Sequence, residues 1–246
     1  MQRYFLENTF DEDDRSEICG EDGKHIVRVM RMSIGDQLIG VANEEAHIAE
    51  IISILPDGVE IRKIEGPLPS NEMPVKVSIA CGLPKGDKLD LIVQKGTELG
   101  MTAILPFEAE RSIVKWDEKK GGKKVDRLRK IAKEAAEQCH RTVVPMVENP
   151  KSFKQLIQAS SSFDVCLFAD EEDAKSELPN KIADRLKNVY DKQSVLVVFG
   201  PEGGLSRKEA EMLISANFLP VSLGPRILRT ETAPLYVLSA MSYEFE

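Results

Sequence analysis

Val195-Leu196-Val197-Val198-Phe199-Gly200-Pro201-Glu202-Gly203-Gly204-Leu205-Ser206-Arg207-Lys208-Glu209 is the stretch on which the fold is read. The first five residues are apolar without alternation, the pattern of a strand covered on both faces. Three glycines then open a loop, and Ser206 with Glu209 forms a capping box that starts a helix. A buried strand, a glycine loop and a helix N-terminus are the layout of a ligand-binding junction in an open α/β sheet. The spacing is neither GxGxxG nor GxxxxGK[ST], and Glu202 puts a carboxylate where a phosphate cradle would want none. The loop therefore suits a neutral or locally cationic ligand; a tight turn required only for packing remains the alternative.

Outward from this stretch, strands and helices alternate. Strands are expected at Val75–Ala80, Ala103–Phe107, Val143–Val147, Val165–Ala169, Ser194–Phe199 and Phe218–Ser222. Helices are expected at Asp87–Leu99, at 123–140, where Val125, Leu128, Ala132, Ala135 and Cys139 step by three and four, and at about 232–243. This order predicts a mostly parallel sheet with helices on both faces. A second junction follows the strand at Phe218–Ser222. It reads Leu223-Gly224-Pro225-Arg226-Ile227-Leu228-Arg229-Thr230-Glu231-Thr232-Ala233-Pro234, with Thr230 or Thr232 as helix cap. Arg226 and Arg229 there either grasp an anionic or carbonyl-rich substrate or pair with Glu231 or Glu202.

The N-terminal part differs. Gln37–Ala42, Ala46–Leu55 and Val59–Ile64 read as short strands between turn signals, and a short helix is expected around His25–Met32. Pro67, Pro69 and Pro74 mark a boundary, giving a small β domain over 1–70 and an α/β domain over 75–246.

The 246 residues carry a net charge of −8, which excludes a generally cationic nucleic-acid binder but not a local basic site. Such a site is present between Arg111 and Lys133. Ten basic side chains stand against three acidic ones there, a surplus of seven that leaves the rest of the chain at −15. Arg111, Lys115, Lys119, Lys120, Lys123 and Lys124 are the candidates for contact with an RNA or DNA backbone, with Gly121-Gly122 as a flexible loop and Trp116 as a base-stacking candidate. A solvated charged face is the alternative. Cys19, Cys81, Cys139 and Cys166 form no CxxC pair, and the three histidines are far apart, so no metal site and no disulfide framework are expected. No apolar run spans a membrane, and the acidic run Asp11–Asp14 is unlike a leader peptide, so the expected location is cytoplasmic.

Taken with Met1-Gln2-Arg3-Tyr4-Phe5, His25, Arg28-Val29-Met30-Arg31, Gly35-Asp36, Gln94–Gly100, Arg111-Ser112, Glu134–Gln138 and Arg141, the two junctions give the chain a resemblance to a known family. It resembles the RsmE family of 16S rRNA methyltransferases, members of the SPOUT superfamily, nearly from end to end. The resemblance implies a PUA-like β-barrel followed by a SPOUT-type α/β domain with a C-terminal trefoil knot, which periodicity alone would render as an ordinary doubly wound sheet. It implies S-adenosylmethionine as cofactor, held by Gly200, Glu202, Gly203, Leu223, Gly224, Ile227 and Leu228. It implies methylation of uridine N3 near the decoding centre, with 16S rRNA or the 30S subunit as partner, and a homodimer. The catalytic candidates are Arg229, then Arg141, with Gln138 orienting the base and Glu231 as general base. Other readings are an RNA-binding ribosome-assembly factor, an α/β enzyme with another adenosine-containing ligand, and a SPOUT methyltransferase acting elsewhere on RNA.

Overall fold

The structure is a computed structural model and describes residues 1–116, 118–171 and 180–246, with the backbone alone for 118–120. Two compact units divide the chain, Met1–Glu72 with Ala136–Val143, and Met73–Ala135 with Val144–Glu246.

The first unit is built on a five-stranded sheet. Its elements are β1 (Arg3–Phe5), β2 (Arg15–Cys19), α1 (Gly20–Lys24), a π-helical turn (His25–Val29), β3 (Gln37–Ala42), β4 (Glu45–Leu55) and β5 (Gly58–Glu65). The order is β1-β3-β4-β5-β2, antiparallel except for β1 beside β3. Ile18, Leu38, Ala49, Ile51, Val59 and Ile61 alternate inward to make its core with Tyr4 and Ile26. β1 and β2 add to the strands expected from the sequence; β2 turns only Ser16 and Ile18 inward and so shows almost no apolar alternation. The helix expected at His25–Met32 starts earlier, at Gly20, and stops at Arg31, whose φ of 54° is left-handed. A network ties the linker to the end of this unit's chain. Glu72 accepts from Arg141 Nε at 3.0 Å and from the amides of Thr142 and Val143 at 2.8 and 3.1 Å.

The second unit is a parallel sheet of β6 (Lys76–Gly82), β7 (Ala103–Glu108), β8 (Met146–Val147), β9 (Lys151–Ser152), β10 (Val165–Ala169), β11 (Ser194–Phe199) and β12 (Leu219–Val221). The order is β12-β10-β11-β6-β7-β8, with β9 also on β7. The helices are α2 (Lys88–Glu98), α3 (Glu118–Gln138, its last residues belonging to the first unit), α4 (Phe153–Ala159), α5 (Ile182–Leu186), α6 (Arg207–Ser215) and α7 (Thr232–Phe245). β11 lies centrally, and its side chains feed two cores. Val195, Val197 and Phe199 face α2, α3 and α7, while Leu196 and Val198 face α4 and α6. Helices thus cover both faces, as the alternation predicts.

Three local expectations are corrected. The strand expected over Val143–Val147 shrinks to β8, because Val143 gives its amide to Glu72 and Pro145 has none to give. Gly121-Gly122 is helical rather than a loop. Each glycine costs roughly 1 kcal/mol there, offset by the buried seam of Val125, Leu128 and Ala132 behind it. The cap of α7 is Glu231 without a side-chain bond, not Thr230 or Thr232.

Candidate functional site

The carboxyl ends of β10, β11 and β12 open into a cleft of about 550 Å³. In a parallel sheet this edge is where loops leave the strands and ligands enter. Gly200–Arg207 and Leu223–Thr230 form its two main walls, with Phe168 and Phe199 at the floor and Asp170, Glu171, Lys88 and Arg111 at the sides. The two sequence junctions, some twenty residues apart, therefore belong to one site.

Backbone approach shapes the first wall. A Cβ on Gly200 would lie 2.6 Å from the Gly204 carbonyl carbon and from Leu205 N, so the loop folds back on itself where only glycine fits. Gly204 N donates to Pro201 O at 2.8 Å and closes the turn. The capping box follows as expected, Ser206 N donating to Glu209 Oε2 at 2.8 Å and Glu209 N to Ser206 Oγ at 3.2 Å. It is larger than the sequence showed. Buried Glu209 also accepts from Glu110 N at 2.8 Å, and Ser206 Oγ donates to Glu110 Oε2 at 2.8 Å. The helix start is thereby tied to the segment after β7. In the second wall Gly224 has φ 97°, a turn that delivers Ile227 to the cleft 78% exposed.

The charges arrange themselves around Lys88. Its Nζ donates to Glu202 Oε1 at 2.9 Å and lies 3.5 Å from Glu231 Oε2. Lys85 N adds a bond to Glu202 at 3.0 Å. Burial pushes the Glu202 carboxyl up, but the bonds from Lys88 and Lys85 outweigh it and hold the group below the usual carboxylate range. The same partnership, chiefly the bond to Glu202, raises Lys88. Glu231 does not itself line the cleft, and its buried Oε2 makes no hydrogen bond. Arg226 and Arg229 do line it and are exposed, and neither guanidinium has an ion pair or hydrogen bond among the described residues. The acidic partners that could have occupied them are held by Lys88 instead. Cys81, at the end of β6, is buried and pushed up to about 12 by desolvation and by Glu202, so it is no nucleophile at neutral pH.

The other expected site residues fall elsewhere. Gln138 is exposed at the end of α3, and Arg141 is 3% exposed; both belong to the first unit and are outside the cleft lining. The Arg141 guanidinium is occupied by Glu72, which suits a structural post rather than charge stabilisation on a substrate. Arg111, expected on RNA, donates to Gly203 O at 3.0 Å and to Leu205 O at 3.3 Å and so braces the glycine loop. Lys115 and Lys123 are exposed. Lys124 sits 4.8 Å over the Trp116 ring, which also packs on the core, so that ring is covered rather than offered to a base. The side chains of Lys119 and Lys120 lie outside the described residues. Further along α3, Arg127 pairs with Asp90 and Arg129 with Asp126. No cluster of metal-binding side chains occurs among the described residues. Lys88 and the bracing role of Arg111 carried no local signal in the sequence.

Residues 71–242 match the RNA methyltransferase domain family, and residues 18–64 match the RNA methyltransferase PUA domain. The chain is 49% identical to ribosomal RNA small subunit methyltransferase E of Bacillus subtilis, over 100% of this chain and 98% of the relative.

The chain belongs to the ribosomal RNA small subunit methyltransferase E family.

Among solved structures, one described only as a hypothetical protein is 48% identical with a TM-score of 0.92, covering 100% of this chain and 99% of that one. The methyltransferase E of Neisseria gonorrhoeae, solved bound to S-adenosyl methionine, is 27% identical with a TM-score of 0.86, covering 100% and 98%. The α/β domain with its parallel sheet and the PUA-like domain before it are thus those of this family. No described helix is long and apolar enough to cross a membrane.

Proposed function

We propose that this protein is an S-adenosylmethionine-dependent methyltransferase that modifies N3 of a uridine in 16S rRNA, near the decoding centre. The observation that carries this is the pairing, in one cleft, of a backbone-lined glycine loop with two arginines that have no other described partner. S-adenosylmethionine fits the donor set: the cleft has the volume of a cofactor site, Lys88 beside the loop is held by Glu202 rather than left for a phosphate, and Ile227 leaves an apolar side chain open for a ring to cover. Gly200, Glu202, Gly203, Leu223, Gly224, Ile227 and Leu228 would hold it, with Glu202 oriented by Lys88. When bound, it supplies a methyl group on a sulfonium, ready for attack by a nitrogen.

The chain's own residues have to make uridine N3 that nitrogen. N3 carries an imide proton at neutral pH, and its loss spreads negative charge onto O2 and O4. Arg229, with Arg226 beside it, would meet that charge, and one well-placed donor is worth about 3 kcal/mol. Glu231 is the candidate acceptor for the proton; its Oε2 is buried outside the cleft lining, so this role requires it to leave its ion pair with Lys88 and turn into the cleft. The target base must be unpaired or turned out of its helix, because N3 lies on the Watson–Crick edge. Lys115 and Lys123 are proposed to hold flanking phosphates. Functional domains over 1–70 and 75–246, a trefoil knot at the cofactor site, a homodimer and a cytoplasmic location complete the reading.

The test is transfer of labelled methyl groups to 16S rRNA and to 30S subunits, with the product nucleoside identified by mass spectrometry. 3-Methyluridine is expected, and Arg229→Ala is expected to lose transfer by at least a hundredfold while retaining cofactor affinity in titration calorimetry. Cofactor binding without transfer to any RNA, or a 2′-O-methyl product, would reject the assignment.

A further inference from the structure

The first unit is strongly acidic, with seven basic and sixteen acidic residues over Met1–Glu72. Five of the seven cations are already engaged. Arg15 pairs with Glu60, Lys24 with Asp57, Arg62 with Glu50 and Lys63 with Asp14, while Arg3 is buried and donates to Arg141 O. The remaining two, Arg28 and Arg31, are exposed and have no partner among the described residues. They lie three residues apart on one short segment, in and just beyond the π-helical turn.

That segment is held rigidly. Ile26 is fully buried and anchors it, and His25 is bonded to the Tyr4 hydroxyl at 3.0 Å. Met30 N donates to His25 O at 2.9 Å and Met32 N to Ile26 O at 3.1 Å. Asp36 accepts from Ser33 N at 2.7 Å and closes the far side. The backbone pays for this rigidity at Arg31, a non-glycine residue at φ 54°. Interleaved with the arginines are Val29 and Ile34, 66% and 64% exposed, and Met30, 37% exposed. Exposed apolar side chains alternating with unpaired guanidinium groups, on a fixed backbone, are suited to a partner with both anionic groups and flat apolar faces. RNA is that partner: phosphates for the arginines, base and ribose faces for Val29, Met30 and Ile34.

We propose that Arg28 and Arg31, on the braced turn of the first unit, form an RNA-docking point that contacts about two phosphates of the substrate. The proposal rests on the RNA-methyltransferase reading and deepens it, because the substrate contacts proposed for Arg226, Arg229, Lys115 and Lys123 all lie in the second unit. The surrounding acidity adds to the argument, since it repels RNA everywhere on the unit except where cations stand unpaired.

The experiment uses the full chain with Arg28→Ala and Arg31→Gly combined. Glycine at 31 accepts the left-handed φ, so the turn keeps its shape, and circular dichroism checks the fold. Affinity for a 16S rRNA transcript is measured by fluorescence anisotropy across a salt series, with cofactor titration and sedimentation alongside. Two lost phosphate contacts weaken binding on the order of tenfold at 0.15 M salt, and flatten the slope of log K against log salt by about 1.5. The KM for RNA rises, while kcat and cofactor affinity hold. An Arg28→Lys, Arg31→Lys variant restores most of the slope. Unchanged affinity and slope in the variant, with a wild type that binds RNA and transfers methyl, overturn the docking point and leave the methyltransferase reading intact. A wild type without transfer overturns both. Loss of dimer in the variant would assign the turn to a second copy of the chain and overturn the proposal as well.

Discussion

Lys88 decides the electrostatics of the cleft although it is neither a glycine-loop residue nor part of an arginine pair. By bonding Glu202 and standing beside Glu231 it removes both carboxylates from competition, and Arg226 and Arg229 are left available for substrate. This has a pH signature. The Glu202 carboxyl is held low in the folded protein, so it contributes stability that is present above its unfolded value of 4.5 and is lost as pH falls through the lower, folded value. Replacing Glu202 by Gln should therefore cost stability at pH 6–7 and cost nothing at the acidic end of the folded range. Thermal melts of wild type and variant at stepped pH would show two curves that converge as the pH falls below 4.5. Curves separated by a constant gap would mean that the Lys88 bond contributes nothing through charge. Lys88 was invisible in the sequence for a plain reason. It reaches the loop from the start of α2, 114 positions away, and no local pattern encodes such a meeting.

Elements were legible where one residue class repeats at the period of the backbone, and illegible where contacts came from afar. β11 could be read because it is apolar from Val195 to Phe199, and α3 because its buried seam steps by three and four. β2 and β9 could not, since β2 turns inward only Ser16 and Ile18 and β9 is two residues long. The start of α6 is intermediate. Ser206 and Glu209 announce a capping box, but nothing local to them signals that Glu110 joins it through two further hydrogen bonds. This makes the cap a joint between the cofactor-side loop and the segment after β7. Ser206→Ala should cost about 1 kcal/mol for the cap, with the bond to Glu110 lost in addition. For a domain of this size the melting temperature should fall by about 2–4 °C, and affinity for S-adenosylmethionine should weaken in calorimetry because the loop ends at the same joint. A variant that melts with the wild type and binds cofactor equally would show that the box is decorative.

At the scale of the molecule, the segregation of charge seen in the sequence survives folding only in part. The basic stretch after Arg111 spends Arg111 on loop carbonyls, Arg127 and Arg129 on aspartates and Lys124 on Trp116, so its excess of cations overstates the free charge it presents. The joining of the two junctions into one cleft is implied by the family resemblance and not by any local pattern, since each junction alone shows only a loop after a strand of a parallel sheet. α7 displays a surface suited to the proposed homodimer. One side of the helix is buried through Pro234, Val237, Leu238 and Met241, and the other presents Thr232, Tyr236, Ser239 and Tyr243 at spacings of four, three and four. Tyr243 is 90% exposed and Tyr236 41%. Aromatic rings are costly to leave in water and are enriched at interfaces, where one end is apolar and the other can find a partner. If the proposed homodimer uses this stripe, Tyr236→Glu combined with Tyr243→Glu places four carboxylates in one interface and should break it. Sedimentation at micromolar concentration is then expected to give a dimer for the wild type and a monomer for the variant. Because α7 begins at Glu231, immediately after the arginine wall of the cleft, methyl transfer should fall with the dimer while the monomer stays folded. A dimeric variant would move the interface to another face, and a monomeric, fully active wild type would remove the homodimer from the mechanism.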